Sequence, residues 1–181
     1  MYRAITLLAL AMVLIGCKYS QGLADVVYKN PQPISMVHLP KDRARWYVVV
    51  DTETLGPRIF FFDTGYGHTT CDDDFVAELG LTTRGKKILY GEQGQTTATK
   101  AILPEFSIGG HRITRLVCTV RDLNTTSSIS DNRGLPIAGV IGMDIIRQFY
   151  TTIDPQRAQV VFENPNEKPL LDDGFRLRRE W

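Results

Sequence analysis

The sequence predicts a mostly-β domain with one or two brief helices. Three observations carry that prediction. Short runs of β-branched and aromatic residues recur along the chain, each closed by Gly, Pro, Asn or Asp. Only two stretches, one after Asp72 and one after Gly142, have the end signals and apolar spacing of a helix, and both are short. No internal repeat is visible in the 181 residues, a length that supports one domain with a real core rather than two.

Taken in order, residues 1–16 read as a processing segment. Arg3 supplies a positive charge, and an apolar stretch too short for a mature membrane span follows, ending in "LIGC". That ending resembles the bacterial lipobox, which implies that Cys17 becomes the acylated N-terminus. A plain secretory signal with a coincidental cysteine is the alternative. Residues 17–33 read as a tether. "RWYVVVDT" from Arg45 and "RIFFF" from Arg58 are strands separated by Leu55-Gly56-Pro57. "DDDFVAELGL" is a short helix capped by Asp72 and ended near Gly80. "KKILYGEQGQTTATKAIL" reads as two strands turning at Gly91 to Gly94, and "EFSIGGHRITRLVCTVRDL" as a second hairpin turning at Gly109-Gly110. Residues 124–136 are polar and turn-rich, hence a loop. "AGVIGMDIIRQF" is a strand, a glycine break and a short helix with Ile145 and Phe149 on one side. Asp154-Pro155 opens a type I turn between two further strands, and residues 164–181 form a tail of low pattern content.

Charge is balanced, with 21 Lys plus Arg against 20 Asp plus Glu, and no long basic stripe supports a nucleic-acid partner. Besides Cys17 there are two cysteines, Cys71 and Cys118. In an oxidising compartment they could be joined or could be two buried thiols, and spacing does not decide between these. They and the three scattered histidines lack metal-ligand spacing, so no metal and no cofactor is expected. His68 precedes Cys71 by three residues, a weak hint of a thiol nucleophile. No phosphate-binding glycine loop and no G-x-S-x-G elbow is present.

One motif stands out. In "FFFDTGYGHTTCDDDF" an apolar strand delivers Asp63 into the turn Asp63-Thr64-Gly65, and "TT", an acidic helix start and "LGL" follow. A strand ending at an ordinary turn is the plain reading of that aspartate. With "VIGMD" at Val140 to Asp144, "YGEQG" at Tyr90 to Gly94 and "TTIDPQRAQVVF" near the end, however, the chain resembles the aspartic proteases, and within them the single-lobe, retropepsin-like group. The resemblance runs in order and spacing from about Ile34 to Phe162.

That resemblance implies a single-lobe acid-protease β-barrel over residues 34–163. It implies that Asp63 is catalytic, that Thr64 and Gly65 support the active-site loop, and that Gly142 packs beside it. Tyr90, Gly91 and Gly94 would form a flap over a peptide or protein substrate. Asp144 would start a helix and not take part in chemistry. After Gly65 the family usually has Ala or Ser, whereas this chain has Tyr66, placed to reshape the substrate pocket. Two carboxylates sharing one proton are needed, and this chain carries the motif once, so a symmetric homodimer is implied. With Cys17 acylated, the protein would be a lipid-anchored, periplasm-facing endopeptidase of the bacterial envelope. Lys18, in place of an aspartate, points to the outer membrane. A non-catalytic peptide-binding or envelope-assembly lipoprotein that kept the fold is the alternative.

Overall fold

The structure, a computed structural model, describes residues 24–39, 42–91, 94–123, 136–167 and 175–177. The first half contains β1 (Asp25–Val27), β2 (Ile34–Leu39), β3 (Asp42–Thr52), β4 (Gly56–Phe62), β5 (Thr70–Asp72) and α1 (Asp73–Glu78). Next come β6 (Arg84–Gly91), β7 (Gly94–Ile102), β8 (Phe106–Ile108), β9 (His111–Thr114) and β10 (Val117–Arg121). The chain closes with β11 (Ile137–Ile141), α2 (Met143–Ile146), β12 (Tyr150–Asp154), β13 (Gln159–Glu163) and β14 (Phe175–Leu177). The expected mostly-β lobe with two short helices is what the chain forms.

The strands join in one sheet, ordered β14-β12-β13-β2-β3-β4-β11-β5-β10-β7-β6, with β8 and β9 branching from β3 and β1 added to β9. Most neighbours are antiparallel. β4 and β11 run parallel, as do β5 and β10. Those two parallel contacts are the consequential ones, because β4 and β5 flank the Asp63 turn.

Local chemistry explains the hairpins. Between β3 and β4, Gly56 has φ of 71°, and the Thr52 hydroxyl donates to the Gly56 carbonyl at 2.6 Å. Between β8 and β9, Gly109 and Gly110 both have positive φ, and a Cβ on Gly110 would stand 2.6 Å from the Asn30 carbonyl. Only glycine fits there. α1 starts as expected: the Asp72 side chain accepts from the Asp74 N–H, and Asp73 and Asp74 sit at the positive end of the helix dipole.

In β4, alternation splits the phenylalanines. Phe60 and Phe62 turn into the core, where Phe60 meets Phe75 edge-on at 5.9 Å and Phe62 meets Phe162 at 6.1 Å. Burying each ring contributes about 2–3 kcal/mol. Phe61 points to the opposite face, against Tyr47 at 5.6 Å.

Three sequence expectations need correction. The stretch read as a tether belongs to the fold from Ala24 onward. Ala24 is buried, β1 pairs with β9, and the Tyr28 hydroxyl donates to the Gln148 carbonyl at 2.7 Å. The C-terminal tail contributes β14, which pairs with β12. The second hairpin ends at β9: Arg115, with φ of 58°, breaks the run, and β10 leaves to pair with β5 and β7. The open cysteine question is answered by a Cys71–Cys118 disulfide, which ties β5 to β10 beneath α1 with Cα atoms 6.0 Å apart. Residues 1–23, with Cys17, and 124–135 lie outside the described residues.

Candidate active site

The site begins where β4 ends. The Asp63 N–H donates to the Ile141 carbonyl at 3.1 Å, so the parallel β4–β11 ladder carries on to the last residue before the turn. The chain then folds tightly, and the Asp63 carbonyl accepts from the Tyr66 N–H at 3.4 Å. Asp63 Oδ1 accepts from the Gly65 N–H at 2.8 Å. A Cβ at Gly65 would lie 3.3 Å from that oxygen, so glycine is the residue that leaves the approach clear. Among the described residues Oδ2 has no hydrogen-bond partner, and Asp63 is half-buried. One oxygen is held and the other is open.

Behind the turn lies a rigid brace. The Tyr66 carbonyl accepts from the Met143 N–H at 2.7 Å, which fixes the turn to the start of α2. Gly142 sits between. A Cβ there would stand 2.7 Å from the His68 carbonyl carbon and 2.8 Å from the Tyr66 carbonyl oxygen, both backbone atoms that cannot swing away. Its φ of −103° suits any residue, so the requirement for glycine is purely steric.

Asp144 completes the brace. Its carboxylate accepts from the Thr69 N–H at 2.9 and 2.8 Å and from the Thr69 hydroxyl at 2.7 Å. The Thr69 hydroxyl in turn accepts from the Gly142 N–H at 3.3 Å, and the Thr69 carbonyl accepts from the Thr119 N–H at 3.1 Å. Thr69 is fully buried with every polar group used. Sequence reasoning placed Asp144 at a helix start and missed this bond. No short-range signal links residues 75 positions apart.

The structure therefore brings together Asp63, Thr64, Gly65, Tyr66 and Gly142 as one unit. Thr64 and Gly65 are exposed at the tip, and the Thr64 hydroxyl has no partner among the described residues. Tyr66 is half-buried, held by its backbone N–H and carbonyl. Tyr90, Gly91 and Gly94 lie elsewhere, at the closed end of the β6–β7 hairpin, where Tyr90 pairs with Gln95 and Gly91 with Gly94. That hairpin is the terminal one of the strand order, joined to the loop region through β10 and β5.

A carboxylate held on a braced turn at the end of the parallel β4–β11 pair, with one oxygen open among the described residues, defines a carboxylate-centred site on a single-lobe β domain. The aspartyl protease family model matches residues 48–145, more than half of the chain and the whole of that site, and the chain belongs to that family. Among solved structures, a retropepsin-like aspartic protease from Rickettsia conorii is similar at 15% identity with a TM-score of 0.47, over 79% of this chain and 95% of that one. A search of curated proteins gave no match.

Proposed function

We propose that the protein is an aspartic endopeptidase whose dyad consists of Asp63 from each of two copies of the chain. The observation that carries this reading is the Asp63 carboxylate, anchored through Oδ1 to the Gly65 N–H, with Oδ2 unengaged on a turn whose tip is exposed. Two such tips meeting on a two-fold axis would place two carboxylates side by side, and like charges that close retain one proton between them. The Thr64 hydroxyl, without a partner among the described residues, suits a bond across that axis.

In the reaction, the ionised carboxylate takes a proton from a water molecule as its oxygen attacks the peptide carbonyl carbon. The protonated carboxyl gives its proton to the carbonyl oxygen, forming a neutral gem-diol. Collapse of that intermediate breaks the C–N bond. One diol proton returns to the dyad, the other carboxyl protonates the leaving nitrogen, and the shared proton is restored. The glycine-bearing end of the β6–β7 hairpin closes over the substrate as a flap and excludes water. The same reading makes Cys17 a lipid anchor that holds the enzyme on the periplasmic face of the outer membrane and raises the local concentration for pairing.

The test is incubation of the full chain with a diverse peptide mixture from pH 3 to 8, with products read by mass spectrometry. Cleavage that disappears in a folded Asp63→Asn variant supports the reading. Cleavage that survives it, or none at any pH from a dimeric protein, counts against it.

A further inference from the structure

The β6–β7 hairpin reaches the catalytic turn by a single route of strand pairing. Among the described residues it joins the sheet through β10, and β10 joins through β5. β7 pairs with β10 from Ile102 to Thr99, opposite Val117 to Val120. β10 then runs parallel to β5, where Thr70, Cys71 and Asp72 face Thr119, Val120 and Arg121. Just before them, the Thr69 carbonyl accepts from the Thr119 N–H at 3.1 Å, while the Thr69 N–H and hydroxyl serve the Asp144 brace. The hairpin and the Asp63 turn therefore meet across a seam whose shorter strand is 3 residues long.

Such a seam is a poor positioning device by itself. Parallel pairs are slightly less stable per residue than antiparallel ones. The hairpin also acts as a long lever. Its end at Gly94 lies seven residues beyond Ala101, which pairs with Cys118, or about 23 Å of extended chain. A tilt of about 5° at the seam moves that end by about 2 Å.

The Cys71–Cys118 bond crosses this seam, and it crosses on a slant. Cys71 faces Val120, whereas Cys118 lies two residues earlier on β10, level with Thr69. Ladder hydrogen bonds resist separation of the two strands. A slanted covalent tie also resists sliding and tilting, so the two together make a rigid joint. Both cysteines are fully buried, which keeps the tie away from solvent once the chain has folded.

We propose that the Cys71–Cys118 disulfide is a positioning device for catalysis, which fixes the height and angle of the β6–β7 hairpin over Asp63. This rests on the protease reading. A flap that stands 1 Å or more out of place can cost about a hundred-fold in rate, so the bond governs turnover as well as stability. It closes when the two thiols give up two protons and two electrons to a disulfide oxidant, which leaves as two thiols. A chain that folds among such oxidants carries an aligned flap. A chain that folds where its thiols stay reduced does not.

The experiment uses the full chain with Cys17→Ser, so that Cys71 and Cys118 are its only cysteines. The chain is refolded either with a disulfide oxidant or with reductant present throughout, and thiol titration in denaturant confirms each state. Hydrogen exchange read by mass spectrometry compares the two forms, and kcat and KM are measured on a cleaved peptide well below either melting point. In the reduced form β6 and β7 should exchange about ten-fold faster while β3 and β4 exchange as before. Its kcat should fall about ten-fold or more, with KM changed less. Should the reduced chain not fold, Cys71→Ala combined with Cys118→Val removes the bond and keeps the core filled. Faster exchange confined to the hairpin, in a protein that cleaves no peptide in either state, upholds the joint while the protease reading fails. Exchange that is equal in both forms or rises evenly across the sheet overturns the proposal. So does a lower melting temperature with kcat unchanged, or failure of every bond-free form to fold, because the bond is then a general stabiliser.

Discussion

The Asp144 carboxylate accepts three hydrogen bonds from Thr69, two from its N–H at 2.9 and 2.8 Å and one from its hydroxyl at 2.7 Å. This pair welds the start of α2 to the far end of the Asp63 turn. Because Thr69 is fully buried, its donors have no water to fall back on. Asp144→Ala should therefore cost about 3 kcal/mol of stability, the loss of charge-assisted bonds plus stranded donors. Asp144→Asn keeps an acceptor for the N–H and should cost about half as much. Urea unfolding of both variants measures the difference. Equal, small losses would mean that the brace is not structural.

Gly142→Ala tests the same brace by sterics alone. The added methyl would meet the backbone of Tyr66 and His68 at 2.7 to 2.9 Å. The turn must move to admit it, and about 2 kcal/mol or more is lost. Peptide cleavage should fall further than stability does, because Asp63 lies on the segment that shifts. A variant with normal melting and normal turnover would contradict the packing described.

The disulfide closes a separation of 47 residues between Cys71 and Cys118. By loop-closure entropy, the double change to Ala should cost about 4 kcal/mol. Both sulfur-bearing residues are fully buried, so a mild reductant should leave the folded protein untouched and act only once denaturant opens it. Denaturant midpoints with and without reductant check both statements.

Acid stability has an identifiable contributor in Asp154. Its carboxyl is held below the ordinary value of 3.8, chiefly by the Arg157 backbone N–H, then by the Arg157 side chain and the Gln156 N–H, against a partial desolvation that pushes the other way. A folded pKa below the unfolded one means stability that is complete above the unfolded value and is lost as pH falls through the folded one. The gap in unfolding free energy between wild type and Asp154→Asn should thus be constant above about pH 5 and close progressively in acid. A gap that does not change with pH would show that the Arg157 contacts do not favour the ionised form.

What the chain disclosed beforehand divides along a physical line. The β4 strand, the Asp63 turn, the β6–β7 hairpin and the strand–glycine–helix run from Ala138 were legible because their signals are local: alternation, turn glycines, an Asp72 cap. β1 was not, because its three residues are exposed or half-buried and gain their structure from β9, nearly ninety positions away. β14 likewise depends on β12. The Asp144–Thr69 bond and the disulfide are pairings of side chains distant in sequence, and composition carries no record of who meets whom.

The central claim is that two copies of Asp63 act as one catalytic unit. Subunit mixing tests it most directly. Wild type and Asp63→Asn chains are combined in varying ratios, left to exchange, and assayed on a cleaved peptide. If a mixed dimer has half a dyad and is inactive, activity follows the square of the wild-type fraction, about one quarter at equal mixing. Activity that falls in simple proportion to the wild-type fraction, about one half at equal mixing, would contradict the account, because each chain would then be working alone.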